Sequence, residues 1–158
     1  RNCFSPTAVM VRRDMLERVG GFSEDLELVT CEDHDLWLRL AGGGIRVRFV
    51  DEVLSSYRLH DANTSTRVDR HMKAGLAVVK KHYGALEHRR LFDGLRLRRR
   101  LAMIIYGAAR SCEKAGNGRE ARRYFARSLS QFPFYPRTIV FGFLALIRRK
   151  NLHGRAAP

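Results

Sequence analysis

Apolar and polar positions change their rhythm near residue 66. Before that point the pattern is mixed. Ala8-Val9-Met10-Val11 is a short apolar run after Pro6 that predicts a buried strand. Residues 14–19 suit a short helix, and Gly20-Gly21 supplies its stop signal. Residues 22–29 are acidic and aperiodic, which predicts a loop. Thr30 stands where an N-cap would, with Asp33 three residues on, and a helix is expected through Leu36, Trp37 and Leu40. Gly42-Gly43-Gly44 ends it. Ile45, Val47 and Phe49 then alternate with Arg46 and Arg48, the signature of a half-buried strand. A further extended piece is expected from residue 53 to about 59, followed by a polar loop over 61–66.

After residue 66 the period is helical. Val68, Met72, Leu76, Val79 and Tyr83 share one face up to Gly84. A longer helix is expected from about 91 to 115, with Leu101, Ile104, Ile105, Ala108 and Cys112 turned inward. Gly116-Asn117-Gly118 breaks it. Ala121, Tyr124, Phe125, Ser128, Leu129 and Phe132 form the next stripe, which Pro133 stops. These two helices resemble one tetratricopeptide-type unit, and no second copy follows at the required period. Residues 138–147 are apolar apart from Gly142 and run directly into Arg148-Arg149-Lys150.

Charge divides at the same place. Residues 1–66 hold 8 Lys/Arg against 11 Asp/Glu, a net of −3, while residues 67–158 carry +17. The basic character therefore belongs to the second part, whose partner is expected to be a polyanionic surface, either lipid or nucleic acid. With 45% hydrophobic residues in 158, the chain has material for about one domain with a substantial core. Cys3, Cys31 and Cys112 are odd in number, widely spaced and without a CxxC pair, which excludes a zinc ribbon or disulfide framework as the organising principle. Reduced cysteines fit a compartment such as the bacterial cytoplasm. The chain opens on Arg1 with residues that read as the inside of a domain, so it is expected to be a piece of a longer protein.

The richest chemistry lies in Cys31-Glu32-Asp33-His34-Asp35-Leu36-Trp37-Leu38-Arg39-Leu40. Adjacent carboxylates at a helix start complement the positive helix end and cap free N–H groups. A carboxylate set beside a sugar hydroxyl serves equally as a general base. Spacing alone leaves both readings open.

Residues 2–19, then Gly20-Gly21-Phe22, then Glu32-Asp33 leading into Asp35-Leu36-Trp37-Leu38-Arg39, then Tyr57-Arg58-Leu59-His60, together resemble the second half of family 2 glycosyltransferases. Each piece is common; their order and intervals over about 60 residues carry the likeness, which covers residues 1–66. The resemblance implies a partial GT-A domain, an α/β Rossmann-like sandwich, followed by an α-helical C-terminal region. It implies transfer of a sugar from a nucleotide-sugar donor to a hydroxyl of a glycan or lipid-linked acceptor, usually with inversion, as in cell-envelope polysaccharide synthesis. Asp33 would take the acceptor proton, with Glu32 beside it as a positioning or capping residue. Gly20, Gly21 and Phe22 would line the acceptor side, and Trp37 would stack on a sugar or pack in the core. Arg58 and His60 would lie near the donor diphosphate, His60 also near its metal, a divalent ion such as Mg or Mn.

The family's Asp-x-Asp metal motif belongs to the first half of its domain, and none precedes the acceptor segment here. Asp33-His34-Asp35 has that spacing but falls within the base motif, so Asp35 is not assigned as a ligand. No Gln-x-x-Arg-Trp follows, which argues against the processive cellulose- and chitin-synthase branch. The chain alone is expected neither to bind donor tightly nor to turn over.

Three regions are thus expected: residues 1–66 as the acceptor-side half domain, 67–136 as a helical region with the tetratricopeptide-like pair, and 137–158 as a basic amphipathic tail. The apolar run 138–147 is about half the ~20 residues that span a bilayer. Flanked by Arg137 and Arg148-Arg149-Lys150, it fits a helix lying on an anionic membrane, which implies a cytoplasmic protein peripheral to the inner face of the plasma membrane; a buried core helix is the alternative. A non-catalytic basic module binding protein or nucleic acid is the rival for the whole. Nucleic acid is disfavoured because no helix-turn-helix, zinc or RNP pattern accompanies Arg96, Arg98, Arg99, Arg100, Arg122 and Arg123.

Overall fold

The computed structural model describes residues 4–56, 67–85 and 92–153, with side chains as far as residue 145. It divides into two compact units, Arg1–His82 and Tyr83–Pro158. The described residues are helical or irregular, with no strand among them. The α/β expectation, a half Rossmann-like GT-A sheet, is therefore overturned.

The physical reason lies in the segments expected to be strands. Residues 6–8 form a single 3-10 turn opened by Pro6, and Val9 follows with φ −126° and ψ 134°, which is extended backbone. Val47, Phe49, Val50, Val53 and Leu54 likewise lie in an irregular stretch and are exposed. A strand exists only through its ladder of inter-strand hydrogen bonds, so extended residues without a neighbouring strand among the described residues make no sheet. The segment expected over 53–59 is described only as far as residue 56.

In the first unit, α1 (Arg13–Arg18) ends at Gly20 and Gly21, both at positive φ, 76° and 69°. Gly21 N–H donates to the Leu16 carbonyl and Gly20 N–H to that of Glu17, both at 3.0 Å. This crossed pair is a Schellman cap, and the left-handed residue it needs is why glycine stands there. A 3-10 turn at Leu26–Leu28 leads into α2 (Glu32–Gly42). Then comes α3 (Val68–Gly84), which belongs to this unit as far as His82. Leu28 and Cys31 pack with Ala74 and Val78 of α3, and Leu38 and Ala77 cover them. Leu36 and Leu40 are also buried, and each fully buried Leu or Val stabilises the fold by about 1.5–3 kcal/mol.

In the second unit, α4 (Asp93–Lys114), α5 (Gly118–Gln131) and α6 (Pro136–His153) follow one another through short turns. Gly116 at φ 78° ends α4, and the Asn117 side chain accepts from Glu120 N–H as the N-cap of α5. The expected stripes form the core: Leu101, Ile105, Ala108 and Cys112 of α4 meet α5 residues Ala121, Phe125 and Ser128. Ser128 Oγ donates to the Ala102 carbonyl at 2.8 Å, so the Thr138 hydroxyl 3.1 Å away must donate to Ser128. That buried chain of two bonds links α4, α5 and α6. Tyr106 completes the packing, with ring centroids 6.0 Å from Phe125, 5.4 Å from Tyr135 and 6.1 Å from Phe141. No helix among the described residues is long and apolar enough to cross a membrane.

Candidate functional site

The three acidic residues that open α2 meet three different fates. Asp35 is fully buried and forms the hub of an ionic cluster. Nε of Arg39 donates to its Oδ2 at 2.8 Å, while Lys81 Nζ and His82 Nε2 approach Oδ1 at 3.1 and 3.0 Å. Burial pushes its pKa up, but the hydrogen bonds from Lys81, His82 and Arg39 outweigh that, so the carboxyl titrates below the ordinary aspartate range. Charge at Asp35 is thereby consumed by structure.

Glu32 turns back on the chain instead. Its Oε2 accepts the Thr30 N–H at 2.6 Å. Thr30 does not cap the helix, contrary to expectation: the N-cap is Cys31, without a side-chain cap bond, and Thr30 sits at φ 86°. Positive φ is costly for a β-branched residue, on the order of 1–3 kcal/mol, and such strain persists where surrounding contacts dictate it. Those contacts are Glu32 and His71 of α3, whose Nδ1 lies 3.2 Å from Thr30 Oγ1.

Asp33 is half-buried, and its Oδ1 accepts the neighbouring His34 N–H at 2.7 Å. It stands at the positive end of α2, where a carboxylate is favoured. Cys31, beside it, lies 3.5 Å from His71 Nδ1, but burial pushes its thiol up to about 11. At neutral pH it is a protonated core thiol, not a nucleophile.

Arg39 ties the acidic helix to the glycine turn. Its guanidinium donates to the Gly21 carbonyl at 2.7 Å and to the Val19 carbonyl, while its Nε holds Asp35. Two of the sequence motifs, Gly20-Gly21-Phe22 and Glu32-Asp33, are thus fixed in one unit by one side chain. Phe22 is half-exposed next to that turn. Trp37 packs edge-on against Phe4 at 6.4 Å, and Phe4 stacks on Phe49 at 6.1 Å. The Trp37 indole Nε1 is buried without a hydrogen-bond partner among the described residues. Arg58 and His60 lie outside the described residues.

No group of three His, Cys, Asp or Glu side chains among the described residues is arranged to hold a metal ion. Asp35, whose spacing mimics a metal motif, is committed to three basic side chains. A hollow of about 420 Å³ lies elsewhere in the first unit, lined by Leu26, Glu27, Asp69, Arg70, Lys73 and Ala77, and none of the expected site residues lines it.

Sequence reading missed the roles of Arg39, His71, Lys81 and His82. The i,i+4 pair Asp35–Arg39 was legible as a helical ion pair. The contribution of α3 was not, since His82 is 47 residues from Asp35. Comparison with models of known protein families, with curated proteins and with solved structures finds no match to this chain.

Proposed function

We propose that this chain supplies the acceptor-side residues of a sugar transferase that uses a nucleotide-activated donor, with Asp33 as the general base. The observation that carries the reading is the placement of Asp33. Asp35 is buried against Arg39, Lys81 and His82, whereas Asp33 stands partly exposed at the positive end of α2, in the same unit as the Gly20-Gly21-Phe22 turn. The motif order that resembles family 2 glycosyltransferases supports it; the strandless backbone of the described residues does not, and the proposal rests on residues rather than architecture.

In this reading a hydroxyl of a glycan or lipid-linked acceptor approaches Asp33. The carboxylate takes its proton as the oxygen attacks the anomeric carbon, and the nucleoside diphosphate departs from the opposite side, which inverts that centre. Half-exposed Phe22 offers an aromatic face for an acceptor sugar. Arg39, through the Val19 and Gly21 carbonyls, keeps the glycine turn in place. The divalent metal and the diphosphate contacts expected of Arg58 and His60 enter no step here.

The test is Asp33→Asn in the complete protein, assayed with a panel of radiolabelled nucleotide sugars. Loss of a general base lowers turnover by about a hundred- to ten-thousand-fold. Donor affinity should stay within a few-fold. Transfer at near wild-type rate would remove Asp33 from the chemistry and leave it a helix-end residue.

A further inference from the structure

Helix α6 has two unlike faces. Thr138 and Ala145 are buried, and Phe141 and Gly142 are half-buried, Gly142 lying against Phe125 of α5. On the opposite side Ile139, Val140, Phe143 and Leu144 are 50%, 55%, 64% and 39% exposed. At 100° per residue these four positions fall within one arc of about 140°, centred opposite the packed face. Soluble helices place polar residues there; this one places an isoleucine, a valine, a phenylalanine and a leucine side by side. Phe134, in the turn before the helix, is also exposed.

The charge carried by the helix and its flanks is all positive. Arg137 stands exposed in the first turn of α6, and the helix sequence continues into Arg148-Arg149-Lys150. From residue 132 to 158 there are five Lys/Arg and no Asp or Glu. An apolar helix face whose own helix and flanks carry only positive charge is complementary to a surface that is apolar within and anionic at its boundary. Because α6 is not apolar enough to cross a bilayer, the geometry is that of a helix lying in the interface.

We propose that the second unit docks on an anionic lipid bilayer through the α6 face formed by Ile139, Val140, Phe143 and Leu144, with Arg137 and the basic end of the helix engaging the lipid headgroups. The seating follows from the interior: the Thr138–Ser128–Ala102 hydrogen-bond chain holds the opposite face of α6 inward, so the apolar arc is presented without rearrangement. The proposal does not depend on the sugar-transfer reading, and its test involves no sugar.

The experiment is co-sedimentation of residues 1–158 with two vesicle types, phosphatidylcholine alone and phosphatidylcholine with about a third phosphatidylglycerol, at about 50 mM and about 500 mM salt. Wild type should sediment with the anionic vesicles at low salt, and release as salt rises. Phe143→Asp and Val140→Asp each place a charge in the exposed face, where packing is not disturbed, and should weaken binding by about tenfold or more; unchanged circular dichroism confirms that α6 persists. Arg137→Ala should weaken it by about fivefold, the contribution of one basic residue near such a surface. Three outcomes overturn the proposal. They are failure of wild type to sediment with anionic vesicles; sedimentation of the aspartate variants equal to that of wild type; and a dimer that Phe143→Asp dissociates, with no vesicle binding, in which case a second copy covers the face.

Discussion

Asp35→Asn is the sharpest probe of the first unit. The substitution keeps the side-chain shape but removes the charge and replaces one acceptor oxygen by an NH2 donor that faces cations. Asp35 is 0% exposed and accepts from Arg39, Lys81 and His82 within 3.1 Å. Breaking a buried pair from one side costs about 3–5 kcal/mol when the stranded partner stays buried. Here Lys81 is about half-exposed and rehydrates, and Arg39 keeps the Val19 and Gly21 carbonyls. The expected loss is therefore about 2–3 kcal/mol, a large share of the ~5–15 kcal/mol of a typical domain. Trp37, the chain's one tryptophan, lies in this unit, so its emission during urea unfolding reports the first unit separately from the second. The pH dependence has a definite sign. The folded carboxyl titrates below its unfolded value of about 3.9, so its stabilisation is present above that pH and is lost as pH falls through the lower, folded value. Wild type should lose stability on acidification below about pH 4, and the Asn variant should lose less over the same interval. An unfolding free energy within about 0.5 kcal/mol of wild type, or parallel acid profiles, would refute the ionic-hub account.

The remaining expectations concern single residues. Gly20→Ala forces a Cβ into left-handed backbone, although open space surrounds it; it should cost about 1–2 kcal/mol in the same Trp37-monitored titration. Thr30→Gly should relieve the strained φ, and stability in the same titration should stay level or rise despite the lost hydroxyl contact to His71; falling stability would show that the strain is illusory. Ser128→Ala strips the buried Ala102 carbonyl and Thr138 hydroxyl of a partner and should destabilise the second unit by about 1–3 kcal/mol, read by far-UV circular dichroism during unfolding. Cys31 should react with iodoacetamide far more slowly at pH 8 than free cysteine does, because burial keeps its thiol protonated; rapid labelling of the folded protein would contradict that burial.

Helices were legible wherever a 3.6-residue stripe ran for three turns or more. Met72, Leu76 and Val79 of α3, and Leu101, Ile105, Ala108 and Cys112 of α4, are buried as their spacing required. The Gly20-Gly21 stop was legible because the Schellman cap is local chemistry. The strands were not, because alternation at Ile45, Val47 and Phe49 reports only what a strand would need and says nothing of a partner to pair with. Thr30 misled for a related reason: its type favours an N-cap, but contacts from Glu32 and from His71, 41 residues away, hold it at positive φ. At the site, the sequence singled out Glu32 and Asp33 but could not apportion charge among three neighbouring carboxylates. That division is made by Lys81 and His82, which reach Asp35 through the tertiary fold.

The two units differ in how far along the chain their decisive bonds reach, and this sets the order in which a nascent chain can acquire structure. Ser128 finds Ala102 across 26 residues and Thr138 across 10, so the second unit closes almost as it is made. Asp35 must wait for His82, 47 residues downstream. Until then α2 exposes Leu36 and Leu40, and Asp35 has only Arg39, on its own helix, as a partner. The equilibrium cost of that longer span is slight, about 0.6 kcal/mol for each doubling of loop length. Its cost in time is larger, because an opened loop must be closed before any contact rewards it. The first unit is therefore the portion of the chain that a ribosome-bound chaperone would hold longest. The connection between α2 and α3 can also lengthen at little expense, since the closure cost grows only with the logarithm of its length.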